Sequence, residues 1–381
     1  MSATPKPVYL DHNATTPVLP KVVDAMLPWL REHFGNPSSN HAYGYQTRDA
    51  VAAARSQVAE LIGCQPKEVF FTSGGTEANN LAIRGVTAAK PERSHIVTSV
   101  IEHPATEMPC ALLEKQGYEI SRLSVDEAGM TRLSELGSVL CKNTALVTVM
   151  HANSETGTLQ PIKEITAAAQ KLGAMVHTDA AQTTGKIAYT VDELGVDLLS
   201  IVGHKMYAPK GIGALYVRNG TAITPQLLGG GHEQGLRSGT ENVPYIVALG
   251  MACEIAHCDA DKANERIMQL RDTLWNALTE SIPGLSLNGH PTLRLPNTLN
   301  IRFPGVSGNS ILANAPEIAA STGSACHAED ESASAVIRAM GLAESEALGS
   351  VRLTLGRGTT GADIDIAAKS LRQAYRIVSQ S

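Results

Sequence analysis

Short apolar runs and longer amphipathic stretches alternate along the first half of the chain. The runs are rich in β-branched and aromatic residues and have the length of buried strands. They cover residues 69–72, 96–101, 145–150, 174–178 and 198–202. A helical pattern at 163–172 separates the third run from the fourth. This alternation predicts an α/β fold with a largely parallel sheet and right-handed crossovers.

The pattern changes in the second half of the chain. A long stretch with helical character covers residues 245–282, and the segments 298–303 and 350–355 alternate apolar and polar residues as strands do. These two strands need no parallel crossover, which is typical of an α+β arrangement. We therefore predict a large domain and a smaller α+β domain, formed respectively by residues 16–249 and by residues 1–15 together with 250–381.

Polar residues follow the predicted strands where each strand ends. Lys205 comes after the run 198–202, Asp179 and Gln182 come after 174–178, and His103 comes after 96–101. The turn Gly74-Gly75-Thr76 lies between a strand and a helix, where free backbone N–H groups and the helix dipole favour an anion. In a parallel sheet these carboxyl ends meet at one edge.

Each of these features taken alone also fits a structural role, such as a surface lysine or an ordinary turn. Together they match what pyridoxal phosphate (PLP) requires of a protein. PLP needs a Schiff-base lysine, a carboxylate on the pyridinium nitrogen, a phosphate cradle and a group against the ring face. The residues that meet these needs are Lys205, Asp179, the turn with Gly75 and Thr76, and His103, with Gln182 placed to bind the ring oxygen.

Composition narrows the function classes further. The 381 residues carry a formal net charge of −6, so the chain presents no basic field for nucleic acid. No continuous apolar run approaches transmembrane length, and the N-terminus lacks the apolar region of a signal peptide. We expect a cytoplasmic protein without a membrane partner. The six cysteines form no Cys-x-x-Cys pair, and we expect no metal site.

Cys326 lies in a small, polar and acidic segment, residues 324–334. A cysteine in such a segment is expected to be exposed, and an exposed free thiol favours a reactive role. His327 would promote ionisation of the thiol, whereas the run Glu329-Asp330-Glu331 would oppose it. The sequence does not rank these two effects.

Several motifs together resemble the cysteine desulfurases, in the class V branch of the fold-type I PLP enzymes, and the resemblance covers nearly the full length. It implies a mainly parallel seven-stranded sheet flanked by helices and a smaller α+β C-terminal domain that carries the catalytic cysteine loop. The motifs are Leu10-Asp11-x-x-Ala14-Thr15-Thr16-Pro17, Phe71-Thr72-Ser73-Gly74-Gly75-Thr76-Glu77, Glu102-His103, Asp179-Ala180-Ala181-Gln182, Gly203-His204-Lys205, Arg237-Ser238-Gly239-Thr240, Gly323-Ser324-Ala325-Cys326 and Leu355-Gly356-Arg357.

The resemblance also implies roles for individual residues around the cofactor. Lys205 forms the Schiff base and moves protons, and His103 stacks on the ring and acts as an acid or base. Asp179 and Gln182 set the electronics of the ring. The phosphate is bound by Gly75, Thr76, His204 and Thr240, the last from a neighbouring subunit, which implies a homodimer.

For the substrate, the resemblance implies that Arg352 and Asn153 hold the carboxylate of L-cysteine, with Asn153 also near the cofactor. Cys326 attacks the substrate sulfur, becomes a persulfide and leaves alanine as the product. The sulfur then passes to an acceptor or scaffold protein, for iron–sulfur cluster assembly or thiolation.

Two departures from the family leave the substrate and the activity open. Val202 stands where many relatives have a phosphate-binding serine, and that lost contact is worth about 1 kcal/mol if uncompensated. The segment Ser332-Ala333-Ser334 replaces a common Glu-Pro-Ser stretch. Val202 and His327 also occur in sequences similar to selenocysteine lyases, which makes L-selenocysteine the main competing substrate. An aminotransferase and a silent sulfur-relay scaffold are two further hypotheses for the function.

Overall fold

The computed structural model describes residues 6–323 and 333–380. Strands and helices follow one another along the chain. The strands are β1 (Val8–Tyr9), β2 (Val69–Thr72), β3 (His95–Ser99), β4 (Glu119–Leu123), β5 (Thr144–Thr148), β6 (Met175–Asp179), β7 (Leu198–Val202), β8 (Gly213–Val217), β9 (Ser286–Asn288), β10 (Thr298–Arg302), β11 (Ile318–Ala319) and β12 (Ser350–Thr354). The α-helices are α1 (Pro20–Arg31), α2 (Ala42–Ile62), α3 (Gly75–Ala89), α4 (Pro104–Lys115), α5 (Leu136–Val139), α6 (Ile162–Gln170), α7 (Val191–Leu194), α8 (Val243–Thr279), α9 (Gly308–Ala313), α10 (Ala335–Ala339), α11 (Glu344–Ala347) and α12 (Gly361–Ser379).

The central sheet has seven strands in the order β2-β8-β7-β6-β5-β3-β4. Strands β7, β6, β5, β3 and β4 pair in parallel with one another. Strand β8 is antiparallel to both β2 and β7, so β2 points the same way as β7. The prediction of an α/β fold with a mainly parallel seven-stranded sheet is confirmed. The carboxyl ends of β2, β3, β5, β6 and β7 share one edge of this sheet.

Strand β7 shows why the runs are continuously apolar. All five of its residues are buried. Leu199 and Ile201 pack in a cluster with residues of α2, α6 and α8, whereas Leu198 packs on the other face with residues of α3. Because helices cover both faces of the sheet, both sides of the strand must be apolar.

The predicted strand positions are close to the observed ones. Strands β2 and β7 have the predicted bounds, and β3, β5 and β6 differ by one or two residues at their ends. Strand β4 lies at the sheet edge with only Leu123 buried, so it has no continuous apolar run to detect. Strand β8 follows β7 without an intervening α-helix, which breaks the alternation that revealed the others.

A second core lies around the antiparallel sheet β12-β10-β9. The strands expected at 298–303 and 350–355 are therefore present, each one residue shorter. Leu10, from the start of the chain, packs in this core with Ile301, Leu353 and Leu371. Strand β1 pairs in parallel with β11. The division of the chain into two domains at the stated boundaries stays a prediction.

Helix α8 joins the two cores. Residues of its first half, such as Leu249 and Cys253, pack in the core of the large sheet, and Leu274 and Leu278 of its second half pack in the second core. Among the described residues, this helix is the one whose length and mean hydropathy (1.2 over its most apolar window) would suffice to cross a membrane, contrary to our expectation that no stretch approaches that length. Because 44% of that window is buried against the rest of the protein, packing accounts for its apolar character.

We predict that Leu199→Ala lowers the free energy of unfolding by about 3 kcal/mol, because it removes most of an apolar side chain that is 0% exposed. The matched control is Leu293→Ala, since the Leu293 side chain is 51% exposed. Thermal or denaturant unfolding of both variants measures the difference. Equal losses of stability in the two variants would contradict the packing described for β7.

Candidate active site

Lys205 ends a short 3₁₀ turn, Gly203–Lys205, that follows β7 directly. Its ammonium group donates hydrogen bonds to the backbone carbonyls of Asn13 and Ala14, both at 2.7 Å. Burial, and then the positive charge of Arg352, lower the pKa of Lys205 to about 8. A large part of this amine is therefore neutral near pH 8 and able to act as a nucleophile.

Asp179 is the last residue of β6, beside β7 in the sheet. Its Oδ2 accepts a hydrogen bond from Nδ2 of Asn79 at 2.7 Å, and its Oδ1 accepts one from the backbone N–H of Ala181 at 2.9 Å. Asn79 also donates to Oγ1 of Thr106, at 3.1 Å. These donors fix the orientation of the carboxylate, whose negative charge acts on Lys205 and raises its pKa against the effect of burial.

His103 is the N-cap residue of α4 and is exposed at the same sheet edge. Its Nδ1 accepts a hydrogen bond from the backbone N–H of Ala105 at 3.1 Å. The neutral ring therefore carries its proton on Nε2. Desolvation lowers the pKa of His103, Asp179 opposes this shift and Lys205 adds to it. At neutral pH the imidazole is neutral, which suits a group that lies flat on an aromatic ring.

The turn between β2 and α3 is the predicted anion cradle, and its geometry suits that role. Helix α3 begins at Gly75, inside the predicted turn Gly74-Gly75-Thr76. Gly74 has φ 145°, a conformation that glycine adopts without strain. A Cβ on Gly75 would lie 2.6 Å from Cγ2 of Val202, so Val202 forms an apolar wall of this turn. Thr76 is exposed in the first turn of the helix, where the backbone N–H groups have no partners within the helix.

His204 follows β7, and the glycine-rich loop, residues 228–242, is joined to α3 by an ion pair. The ring of His204 hydrogen-bonds Oγ1 of Thr15 at 3.1 Å, and burial, Lys205 and Lys210 lower its pKa to about 4. Arg237 in the loop pairs with Glu77 of α3 at 2.7 Å. This ion pair fastens the loop to the helix whose N-terminus forms the cradle. Thr240 follows three residues later and is exposed, and its predicted reach into another subunit stays a prediction.

Arg352 lies on β12, and its side chain is 4% exposed. Its guanidinium group pairs with Asp11 Oδ1 at 2.9 Å and donates to the carbonyl of Ser154 at 3.2 Å. Its buried Nε has no hydrogen-bond partner within residues 6–323 and 333–380. One donor of the planar fork is thus left over, and bidentate binding of a carboxylate would use it together with a second N–H on the adjoining terminal nitrogen.

Asn153 is placed differently from the expectation for a substrate ligand. Its Oδ1 accepts hydrogen bonds from the backbone N–H groups of Glu155 and Thr156, and its Nδ2 donates to the carbonyl of Ile101 at 3.2 Å. The side chain is buried and holds the turn that follows β5. Its predicted contacts with substrate and cofactor stay predictions.

Gln182 is buried in a network centred on Asn13. Its Nε2 donates to the backbone carbonyl of Asn13 at 3.1 Å, the same carbonyl that Lys205 binds. Its Oε1 accepts a hydrogen bond from the ammonium of Lys186 at 2.9 Å. Lys186 also donates to Oδ1 of Asn13 at 3.2 Å. The amide of Gln182 is therefore held from both ends.

Cys326 lies outside the described residues, as does His327. The residues on either side of the gap both approach Glu155. The Ser334 hydroxyl donates to Glu155 Oε2 at 2.6 Å, and a Cβ on Gly323 would lie 2.5 Å from that oxygen. The chain on both sides of the predicted nucleophile is thus located beside the turn that Asn153 organises.

The described residues fit PLP. A lysine of low pKa, a fixed carboxylate and a neutral imidazole lie along one sheet edge, and a glycine turn opens a helix beside them. Gly75, Thr76 and His204 would hold the phosphate, Asp179 the ring nitrogen and Lys205 the aldehyde carbon. No cluster of three or more His, Cys, Asp or Glu side chains suited to a metal occurs in the described parts of the chain.

Sequence reasoning missed residues that support the site from behind. Asn13, Asn79 and Lys186 were not singled out, although each bonds to a predicted site residue. His177 was also missed: it is buried two residues before Asp179, and both ring nitrogens are bonded to hydroxyl groups. The alternation of β6 gives a signal for His177 and Asp179, since residues two apart on a strand share a face. For Asn13 and Lys186 the sequence holds no comparable signal.

The comparisons with known proteins agree with this geometry. A family model described as aminotransferase class-V matches residues 8–366. Cysteine desulfurase 2 of Trichormus variabilis is 49% identical over 94% of this chain and 90% of its own length. A solved NifS-like protein superposes with a TM-score of 0.92 at 35% identity, covering 98% of this chain and 100% of its own.

A solved structure of SspA in complex with cysteine superposes with a TM-score of 0.81 at 35% identity, covering 92% of this chain and 99% of that one. The family model spans both cores and every residue of the candidate site that the structure describes. The matches do not favour the selenocysteine lyase hypothesis. On these grounds the chain belongs to the class V aminotransferase family and, within it, to the cysteine desulfurases.

Proposed function

We propose that this protein removes the sulfur of L-cysteine at a PLP held by Lys205 and transfers it to Cys326, with L-alanine as the second product. The observation that carries the proposal is the setting of Lys205, whose pKa of about 8 reflects burial and the opposing charges of Arg352 and Asp179. An amino acid substrate of a PLP enzyme needs a free amine and a fixed carboxylate at the cofactor, and a group that binds the substrate's own carboxylate. The likeness to a solved protein in complex with cysteine supports the choice of substrate.

Each residue then has a defined task. PLP, when bound, supplies an electron sink for the bonds at the substrate Cα. Arg352 holds the substrate carboxylate with its unpartnered Nε and the adjoining terminal nitrogen. Lys205, as the neutral amine, accepts the proton from Cα. Asp179 keeps a proton on the ring nitrogen, and the neutral ring of His103 packs on the ring face.

The sulfur step balances without an external oxidant. The Cys326 thiolate attacks the substrate sulfur, so an S–S bond forms as the Cβ–S bond breaks. The electron pair of the broken bond remains with the alanine portion, and Cβ takes up a proton. The products are alanine and a Cys326 persulfide, which passes its outer sulfur to an acceptor protein for cluster assembly or thiolation.

A homodimer is part of the proposal. Thr240 is exposed on the glycine-rich loop, and Leu228 at the start of the same loop is 85% exposed. Phe34 is 79% exposed and stacks on Tyr43, with ring centroids 5.6 Å apart. Exposed apolar side chains of this size are typical of surfaces that a second subunit covers. A cytoplasmic location is also proposed, supported by the five free cysteines among the described residues.

Alanine release tests the function. We expect wild type with PLP and a reductant to release alanine from L-cysteine, and Cys326→Ala to lose at least about 100-fold of that rate, since its nucleophile is gone. Lys205→Ala should lose both the rate and covalent attachment of PLP. Wild-type activity on L-selenocysteine alone would replace the proposal by selenocysteine lyase. Failure with both substrates while Lys205 still binds PLP would leave the aminotransferase, and failure to bind PLP would leave the silent scaffold.

Because Val202 presents only apolar atoms to the Gly75 turn, we predict that a serine at this position increases the affinity for PLP. Val202→Ser places a hydroxyl against the Gly75 turn and restores a hydrogen bond to the phosphate. A net hydrogen bond of about 1 kcal/mol corresponds to a PLP dissociation constant about fivefold lower. Titration of the apoprotein measures it, with Val202→Ala as a control that removes bulk without adding a donor. Equal affinities for the serine and alanine variants would contradict this placement of the phosphate.

The pKa of Lys205 predicts the pH dependence of cofactor attachment. Only the neutral amine attacks the PLP aldehyde, so the rate of attachment should rise about tenfold per pH unit below about 8 and level off above it. Stopped-flow absorbance of apoprotein mixed with PLP between about pH 6 and 10 gives the midpoint. A midpoint near the ordinary lysine value of 10.5 would show that Lys205 is not held as described.

A further inference from the structure

Lys186 is a buried cation that the proposed chemistry does not use. It is 7% exposed and lies four residues after Gln182 in the turn that follows β6. Its ammonium bonds to the amide oxygens of Gln182 and Asn13, at 2.9 and 3.2 Å. Among the residues that the structure places, no carboxylate lies within ion-pair distance of it. A buried ammonium held only by neutral acceptors is costly, which calls for a reason specific to this site.

The contacts of Lys186 determine the orientation of Gln182. An ammonium group can only donate hydrogen bonds, so the amide oxygen of Gln182 must face Lys186. The backbone carbonyl of Asn13 can only accept, so the amide nitrogen must face Asn13. One N–H of that nitrogen binds Asn13, and the second remains for a ligand in the site. Gln182 is thereby held as a donor, and a ligand atom bound there must be an acceptor.

The charged groups around Lys186 also favour a ligand that accepts hydrogen bonds and carries negative charge. Lys205, after β7, and Arg352, on β12, are the charged groups that act on it, and burial together with these two cations lowers the pKa of Lys186 to about 7. Lys186 in turn disfavours the charged form of His12, in the N-terminal segment. The acids of the site, Asp11 and Asp179, are engaged by Arg352 and Asn79. Below about pH 7, where Lys186 is charged, the three cations outnumber these two acids. A third acid, Glu155, also interacts with Arg352, and burial raises its pKa.

We propose that Lys186 is a positioning residue of the active site, which holds the Gln182 amide as a donor toward the ionised ring oxygen of PLP and biases the site toward an anionic ligand. The inference rests on the proposed placement of PLP at Lys205. An anion that enters the cluster of Lys186, Lys205 and Arg352 relieves their mutual repulsion, so part of the binding free energy of the cofactor comes from a group it does not touch.

Three variants separate the two effects of Lys186. Lys186→Met removes both the charge and the donor, Lys186→Gln removes the charge but keeps an N–H donor, and Lys186→Arg keeps both. Two quantities are measured on each apoprotein by visible absorbance: the PLP dissociation constant at about pH 6, where Lys186 is charged, and the same constant at about pH 8.5, where Lys186 is mostly neutral. Neither quantity depends on turnover.

At about pH 6 we expect the dissociation constant to increase about tenfold in Lys186→Gln, because a cation beside the bound anion is lost, and somewhat more in Lys186→Met. At about pH 8.5 the increase should be about fivefold in Lys186→Met, through loss of one oriented hydrogen bond, and about half as much in Lys186→Gln. Lys186→Arg should stay within about twofold of wild type at about pH 6.

Any other pattern overturns the inference, including equal dissociation constants in all variants or an equal loss of affinity in Lys186→Arg. Should Lys186→Met fail to fold, the contrast between the glutamine and arginine variants gives the same decision. Failure of wild type itself to attach PLP at Lys205, shown by an unchanged result in Lys205→Ala, would instead overturn the proposed function. The two failures are therefore distinguishable.

Discussion

The hydrogen bonds of Asn13 hold the active site together. Its backbone carbonyl accepts from Lys205 and Gln182, and its side-chain oxygen accepts from Lys186 and Asn297. Its amide nitrogen donates to the carbonyl of Ser154 and the hydroxyl of Thr298, and its backbone N–H donates to the hydroxyl of Thr354. A single residue thus connects the strand ends of the large sheet to the second core. Because every one of these groups is polar and most are buried, loss of Asn13 would leave several of them unsatisfied at once.

The second constraint is electrostatic. Burial near Arg352 lowers the pKa of Lys205 and makes its amine able to act as a nucleophile, and the same arrangement would be destabilising without an anion to balance it. The protein offsets part of this destabilisation with hydrogen-bond acceptors. Backbone carbonyls bind Lys205, amide oxygens bind Lys186, and one carboxylate, that of Asp11, pairs with Arg352. These keep the cations desolvated and in place. A cofactor with a phosphate and an ionised ring oxygen, and a substrate with a carboxylate, supply the missing negative charge.

The sheet and the residues at its strand ends could be predicted from the sequence because the patterns that mark them are local. A buried parallel strand is a continuous apolar run, and its carboxyl end is marked by the polar residue that follows, as with Lys205 and Asp179. The supporting residues could not be found this way. Asn13 lies 173 positions from Lys186 and 284 from Asn297. Partners so distant in sequence are brought together only by the tertiary fold, and an asparagine in a polar turn looks the same with or without them.

The connections between Asp11 and Arg352, and between Asn13 and Thr354, also have a consequence for biosynthesis. The N-terminal segment leaves the ribosome first, yet its partners on β12 are among the last residues to be made. The large sheet, which ends at β8, can form much earlier, since domains fold as units during synthesis. Asp11 and the backbone N–H of Asn13 must then wait for their partners on β12 until almost the whole chain has been translated. The part of the site around Arg352 is thus completed late in synthesis.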